Sequence, residues 1–87
     1  MTDASPLEFP CDFPIKAFGH DTGDFDRLVV RLVRAHAPEV GPDAVRTRAS
    51  RRGRYLAVTV TVRATSRAQL DRIYHALSAH ERVLFAL

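Results

Sequence analysis

The sequence predicts one small α+β domain of the split β-α-β type, in which two helices cover one face of a four-stranded sheet. Three observations lead to this class. Residues 54–64 alternate between apolar and polar side chains, as a strand with one buried face does. Two other segments place apolar residues at helical spacing. With the remaining apolar runs, the order is strand, helix, strand, strand, helix, strand.

The first half of the chain predicts a lead-in, a strand and a helix. Residues 1–11 contain two prolines and show no periodicity, so we expect an extended N-terminal lead-in followed by a single domain at residues 12–87. Side chains alternate over residues 13–18, and the glycine that follows ends this first strand. Helical spacing runs over residues 25–36. Pro38 closes this helix, because the residue before a proline avoids the α region.

The second half predicts two strands, a helix and a last strand. Residues 45–49 alternate, and a turn joins them to the strand at residues 54–64. Ser66 and Gln69 then match a capping box, in which each side chain accepts a hydrogen bond from the backbone N–H of the other residue. The helix that they begin is followed by a final apolar strand at residues 83–87.

These elements define a topology. Crossover connections between parallel strands are right-handed, and here they leave a gap between the first two strands that the third strand fills. The prediction is a ferredoxin-like split βαβ fold (βαββαβ), with a four-stranded antiparallel sheet in the order 4-1-3-2. Both helices cover the face that carries Leu56, Val58, Val60 and Val62, and the opposite face is open to solvent.

Several short elements also carry a resemblance to a known family. They are L-E-F-P at residues 7–10, Lys16, Gly19, H-A-P at residues 36–38, and residues 50–65. Their order and spacing resemble the YbeD family of small bacterial proteins over nearly the whole chain. The resemblance implies a bacterial cytoplasmic protein with a fold similar to the ACT regulatory domains of amino-acid enzymes. That similarity has prompted suggestions of allosteric regulation, including in lipoate metabolism, in a family whose function is uncharacterised. It supplies no catalytic residue.

Composition limits the class of protein further. The hydrophobic fraction of 46% and the charged fraction of 26% are those of an ordinary globular domain rather than a disordered chain. No apolar run approaches the roughly 20 residues of a membrane helix, and the N-terminus lacks the features of a signal peptide. The single cysteine excludes an internal disulfide, so we expect a reducing, cytoplasmic compartment.

The positive charge is almost entirely arginine. Twelve of the 13 basic residues are arginine, and the net charge is +3. Five of them fall within residues 46–54, around the turn between the second and third strands. Genomic base composition or protection of a sheet edge would explain them without a function. The alternative is recognition of a phosphate, a carboxylate or an acidic protein by guanidinium groups.

The candidate binding surface combines the open sheet face with this hairpin. Phe18 and Tyr55 are aromatic residues on a face that no helix covers, which favours binding, although a solvated sheet face is the alternative. On the fourth strand we expect Arg82 and Leu84 to point to the same side. The residues that define the surface are Lys16, Phe18, Arg46, Arg48, Arg52, Arg54, Tyr55, Thr59 and Thr61.

The sequence predicts no enzyme, metal site or cofactor. Cys11 has no basic or histidine residue close in sequence that would make its thiol reactive, and the four histidines lack the spacing of metal ligands. Asp24 and Asp26 are two residues apart in a helix, so they point to different sides and form no acid/base pair. The four glycines are scattered, which excludes a glycine-rich phosphate loop.

The leading hypothesis is a non-catalytic regulatory or adaptor domain that binds a small anionic metabolite or a protein partner. ACT-like domains commonly pair, so a homodimer is a further option; a membrane partner is not expected. The alternative is a nucleic-acid-associated module that uses the arginine-rich hairpin. Binding of RNA is less favoured, because Ala57 and Thr59 follow Tyr55 at the positions where an RNA-recognition sheet carries further aromatic side chains.

Overall fold

The elements follow the predicted order in the structure, a computed structural model that describes residues 7–87. They are β1 (Cys11–His20), α1 (Phe25–Arg34), a short 3-10 helix (Pro42–Ala44), β2 (Val45–Ala49), β3 (Tyr55–Ala64), α2 (Arg67–Ala79) and β4 (Phe85–Ala86). Neighbouring strands are antiparallel, and the order β2-β3-β1-β4 is the predicted 4-1-3-2 viewed from the opposite edge. The ferredoxin-like α+β fold is confirmed.

The long strands β1 and β3 form the centre of the sheet and pair along their whole lengths. Opposite residues lie on the same face, so Ile15 lies beside Val60 and Ala17 beside Val58. All four are 0% exposed. The period-two pattern of each strand therefore supplies the sheet half of the core, as the alternation predicted.

Each helix adds one apolar stripe to this same face. The buried apolar residues are Phe25, Leu28, Val29 and Val33 of α1 and Leu70, Ile73 and Leu77 of α2. Their spacing of three and four residues is that of an amphipathic helix packed on a core. Within residues 7–87, every buried side-chain nitrogen and oxygen has a hydrogen-bond partner. The described core therefore contains no unpaired polar side-chain atom.

Gly19 has a packing role, and the prediction that it ends the first strand is wrong. β1 continues through it to His20. A Cβ atom on Gly19 would lie 2.5 Å from the Phe25 ring and 2.6 Å from the backbone oxygen of Arg82. The missing side chain thus lets the first residue of α1 pack directly against the strand.

The N-terminus of α2 forms one half of the predicted capping box. The Ser66 hydroxyl oxygen accepts a hydrogen bond from the Gln69 N–H at 3.1 Å. The Gln69 side-chain oxygen accepts instead from the Thr65 N–H at 2.8 Å and from its hydroxyl at 3.1 Å. The Gln69 amide nitrogen donates to the His36 carbonyl at 2.9 Å. This buried side chain therefore ties α2 to the segment that follows α1, because its length lets it reach across the helix end.

Three elements end at other residues than the sequence predicted. α1 stops at Arg34, and the N–H of His36 makes a tighter i to i−3 hydrogen bond to close the last turn. β1 spans Cys11–His20 rather than 13–18, because it follows β3 over its full length. β4 covers only Phe85–Ala86, since it pairs with β1 at two positions.

The predicted lead-in is described only in part. Residues 1–6 lie outside the described residues. Leu7 and Phe9 pack against the core, and Cys11 already belongs to β1. In the described part of the chain, no helix is long and apolar enough to cross a membrane.

Candidate functional site

The open face is the side of the sheet opposite the helices, and the strand register sets its residues in rows. The rows contain Arg46, Thr59, Lys16 and Leu87; Arg48, Ala57, Phe18 and Phe85; Tyr55 and His20; and Thr61 and Pro14. We call these residues the open face. The seven strand residues predicted for the candidate surface all lie here. That they bind a partner stays a prediction.

An aromatic and aliphatic strip runs along the β1–β4 side of the open face. The rings of Phe18 and Phe85 are stacked, with centroids 4.4 Å apart and planes inclined by 17°. Phe85 is 52% exposed and Leu87 is 64% exposed. Leu87 is fixed in place by two backbone hydrogen bonds to Lys16, of 3.0 and 2.8 Å. The strip therefore presents ordered apolar side chains to solvent.

A second aromatic contact lies at the hairpin end of the open face. The rings of His20 and Tyr55 are 5.0 Å apart and tilted by 32°, and Tyr55 is 43% exposed. Together with the strip, this contact gives the open face two half-exposed aromatic residues, Tyr55 and Phe85, and a partly buried third, Phe18, on adjacent strands. Aromatic residues are enriched at protein interfaces, where a large rigid side chain buries much area at little entropic cost.

The other side of the open face is cationic. Lys16, Arg46 and Arg48 are exposed, and none of them makes a salt bridge within residues 7–87. Arg63, further along β3, is different, because it pairs with Asp12 at 3.3 Å. The unpaired cations and the apolar strip share one surface, so this face carries positive charge beside its apolar part.

The hairpin turn separates the other predicted arginines from this surface. Gly53 has a φ of +70°, a conformation that favours glycine. The Ser50 hydroxyl accepts from the Tyr55 N–H at 3.1 Å and holds the turn closed. Arg52 and Arg54 lie in this turn and are exposed, beyond the end of the sheet rows. The hairpin arginines thus extend the cationic region past the sheet but do not line the aromatic strip.

Placing Arg82 and Leu84 on the open face was wrong. Arg82 lies in the turn before β4, where its guanidinium binds Asp24 at 2.6 Å and also the Thr22 hydroxyl. The hydrogen bond from Arg82, followed by that from Thr22, lowers the pKa of Asp24 from 3.8 to about 2. Phe85, not Leu84, lies opposite Phe18.

Phe85 and Leu87 were missed for a simple reason. Residues 83–87 are all apolar, so they show no alternation that could assign side chains to faces. Pairing with β1 decides the orientation, and no signal local to these five residues contains that information.

A second feature, the groove between α1 and β2, was not predicted from the sequence, and we call it the α1–β2 groove. It lies on the helix side of the sheet, where α1 leaves β2 uncovered, and has a volume of about 950 Å³. Apolar walls come from Val30, Val40 and Val45, and the rim carries three arginines. The arginines are Arg27, Arg31 and Arg34 of α1. Their spacing of four and three residues was a readable signal that they share one helix face.

Reactive groups are dispersed over the described residues. Within residues 7–87, no group of three or more His, Cys, Asp or Glu side chains could hold a metal ion. Cys11 is a free, partly buried thiol that packs against the core from the first position of β1. That the chain is not an enzyme stays a prediction.

Comparisons with known proteins identify the family. Residues 4–87 match the family described as "Protein of unknown function (DUF493)". A UPF0250 protein of Nitrosomonas europaea is 44% identical over 87 residues, which is 100% of both chains. One of Paraburkholderia phytofirmans is 51% identical over 83 residues, covering 95% of this chain and 93% of its own length.

A third relative, a UPF0250 protein of Neisseria gonorrhoeae, is 43% identical over 84 residues, covering 97% of this chain and 92% of its own. No solved structure matches the chain. The chain belongs to the DUF493 family, and these relatives carry the name UPF0250 protein, which confirms the resemblance to the YbeD family.

Proposed function

We propose that this DUF493 chain is a non-catalytic adaptor domain whose open face docks an acidic surface of a partner protein. The observation that carries the proposal is the ordered apolar strip of Phe18, Phe85 and Leu87 beside the unpaired cations Lys16, Arg46 and Arg48. An apolar centre with a charged margin is the usual anatomy of a protein interface. The apolar part would supply affinity, and the cations would select and steer the partner.

The shape of the open face favours a protein over a small metabolite. Small-molecule sites are concave and surround most of the ligand, whereas this surface is one side of a sheet. A metabolite would leave the Phe18–Phe85 stack largely in water. A screen of amino acids and phosphorylated metabolites by thermal shift tests this preference, and a rise in Tm that is lost in Phe85→Ala would overturn it.

Charge also argues against pairing of two copies through the open face. Self-association there would bring the Lys16, Arg46 and Arg48 side chains of one copy towards those of the other. Like charges placed across an interface are unfavourable. The acidic residue nearby, Asp12, already binds Arg63. We therefore expect a partner other than a second copy of this chain. Sedimentation at rising concentration should show no dimer through this face, and a dimer that Arg48→Glu abolishes would contradict the expectation.

Photo-crosslinking in the native cell tests the proposal directly. A photoreactive phenylalanine analogue at position 85 should link the chain to one protein, whereas the same group at exposed position 75 on α2 should not. The crosslink should vanish in the variant Arg46→Glu, Arg48→Glu, Tyr55→Ala and persist in Arg72→Glu, which reverses a charge on α2. Equal crosslinking from both positions, or none from position 85, would reject the adaptor function.

A nucleic acid is the alternative occupant. The structure does bring Tyr55, Phe18 and the arginines of β2 onto one sheet face, which is the geometry on which RNA-recognition domains stack bases. In that case the crosslinked species would be sensitive to nuclease. Binding would weaken steeply with salt, and Arg46→Glu with Arg48→Glu would abolish it.

A further inference from the structure

The α1–β2 groove combines two features, and neither was part of the predicted binding surface. One is the apolar wall formed by Val30, Val40 and Val45. The other is the outer edge of β2, since within residues 7–87 this strand pairs with β3 alone. A groove beside a free strand edge offers side-chain pockets and main-chain hydrogen bonds in the same place.

The register of β2 against β3 shows which backbone groups of β2 point outward, away from β3. Ser50 donates its N–H to the Tyr55 carbonyl at 2.9 Å, so this pair is a hydrogen-bonded pair of the β2–β3 ladder. Such pairs alternate along antiparallel strands. The N–H and C=O groups of Thr47 and Ala49 therefore point away from β3, towards solvent. The side chains of both residues lie on the helix side of the sheet and are exposed.

The charge of the groove specifies what can pair with that edge. Arg27, Arg31 and Arg34 line it, with Asp26 as the acidic residue among the lining groups. Within residues 7–87, none of the three arginines makes a salt bridge. Cations along an edge strand discourage pairing with neutral or basic strands. They favour a strand that carries carboxylates.

The dimensions fit an extended chain. The first and last of the three arginines are seven residue steps apart along the helix, which is about 10 Å. In a βαβ crossover the helix runs alongside the strands. Alternate side chains of an extended peptide are about 6.6 Å apart, close to the roughly 6 Å rise between helix residues four positions apart. Acidic side chains at two alternate positions would therefore meet Arg27 and Arg31, which are four positions apart.

We propose that the α1–β2 groove binds an acidic, extended peptide segment of a partner, which adds as a fifth strand to the edge of β2. Its backbone pairs with Thr47 and Ala49. Its acidic side chains, at the alternate positions that face the helix side, accept hydrogen bonds from the arginines of α1, and their methylene groups contact Val30 and Val45. The groove faces the helix side of the sheet and none of its lining residues belongs to the open face, so this proposal does not depend on the adaptor proposal.

The test uses a capped seven-residue peptide that alternates glutamate with valine, and the same peptide with lysine in place of glutamate. Amide NMR of the whole chain follows the titration. With the glutamate peptide, we expect saturable shifts centred on β2 and slower hydrogen exchange of the Thr47 and Ala49 amides. The lysine peptide should give neither.

Charge reversal provides the matched control. Arg31→Glu should weaken binding of the glutamate peptide by about tenfold or more, because a charge-assisted hydrogen bond becomes a repulsion. Arg72→Glu, an exposed position on α2 outside the groove, should leave the affinity unchanged. Thermal melts of both variants show whether each is folded.

Several results would overturn the proposal. They are shifts centred on Phe18 and Phe85 instead of β2, equal binding of the lysine peptide, or an Arg31→Glu variant with unchanged affinity. A single-stranded RNA that shifts the α1 arginines, while the Thr47 and Ala49 amides exchange as in the free protein, would assign the groove to a phosphate backbone.

Discussion

The two faces of the sheet come from the same strands but are governed by different requirements. On the helix-covered face, Ile15 and Val60 are 0% exposed, whereas on the open face Tyr55 is 43% and Phe85 is 52% exposed. Burial contributes about 25 cal/mol for each Å² of apolar surface removed from water, and the open face receives only part of that. Stability therefore explains the covered face. The aromatic residues of the open face need another explanation, which is why we seek function there.

The comparison is tested most strongly by truncating one apolar side chain on each face. Ile15→Ala should lower the free energy of unfolding by about 3 kcal/mol, because it leaves a cavity in a closed core. Phe85→Ala should cost about 1 kcal/mol or less, which is the range of one aromatic contact. Urea unfolding followed by circular dichroism measures both. Equal losses would mean that the open face is a structural element, and the argument for a docking surface would fail.

Adding an atom to the covered face sharpens the same contrast. Gly19→Ala should destabilise by about 2 kcal/mol, because the new Cβ would overlap the Phe25 ring and the Arg82 backbone oxygen. Gly41→Ala is the control, since nothing lies within 4 Å of a Cβ there, and its φ of −109° suits alanine. It should change stability by less than about 0.5 kcal/mol. Similar losses for the two variants would exclude close packing as the reason for Gly19.

On the helix side of the sheet, removing a hydrogen-bonding side chain should lower the free energy of unfolding less than removing a buried apolar side chain. Gln69→Ala should cost about 2 kcal/mol, because it leaves the Thr65 N–H and the His36 carbonyl without their partner. Ser66→Ala, which removes only the cap, should cost about 1 kcal/mol. Chemical denaturation of both variants and the double variant measures this. A Gln69→Ala loss no larger than that of Ser66→Ala would show that the link between the helices contributes nothing.

The smallest effect is expected from the exposed ion pair beside β4. Asp24 has a pKa of about 2 in the folded chain and 3.8 as a model value, so it favours folding fully above pH 3.8. That contribution is lost as the pH falls through about 2. The difference in Tm between the native chain and Asp24→Asn should therefore be present at pH 5, shrink below pH 4 and vanish below pH 2. A difference that stays constant over this range would contradict the Arg82–Asp24 interaction.

Local patterns in the sequence were sufficient for the sheet centre and one side of the candidate site. The alternation in β3 assigned Tyr55, Thr59 and Thr61 to the open face, and helical spacing assigned the core residues of both helices. Local patterns failed where an orientation depends on a distant partner. Arg82 lies beside Asp24, and Phe85 lies opposite Phe18, far away in sequence.

The sequence by itself determined the fold class, the family and which row of β3 is buried, because apolar periodicity acts between neighbouring residues and is visible in one segment at a time. Only the tertiary structure decided the orientation of β4, the packing role of Gly19 and the α1–β2 groove. Each of these depends on how segments distant in sequence meet. A run of apolar residues or a row of arginines does not show which distant segment of the chain will pack against it.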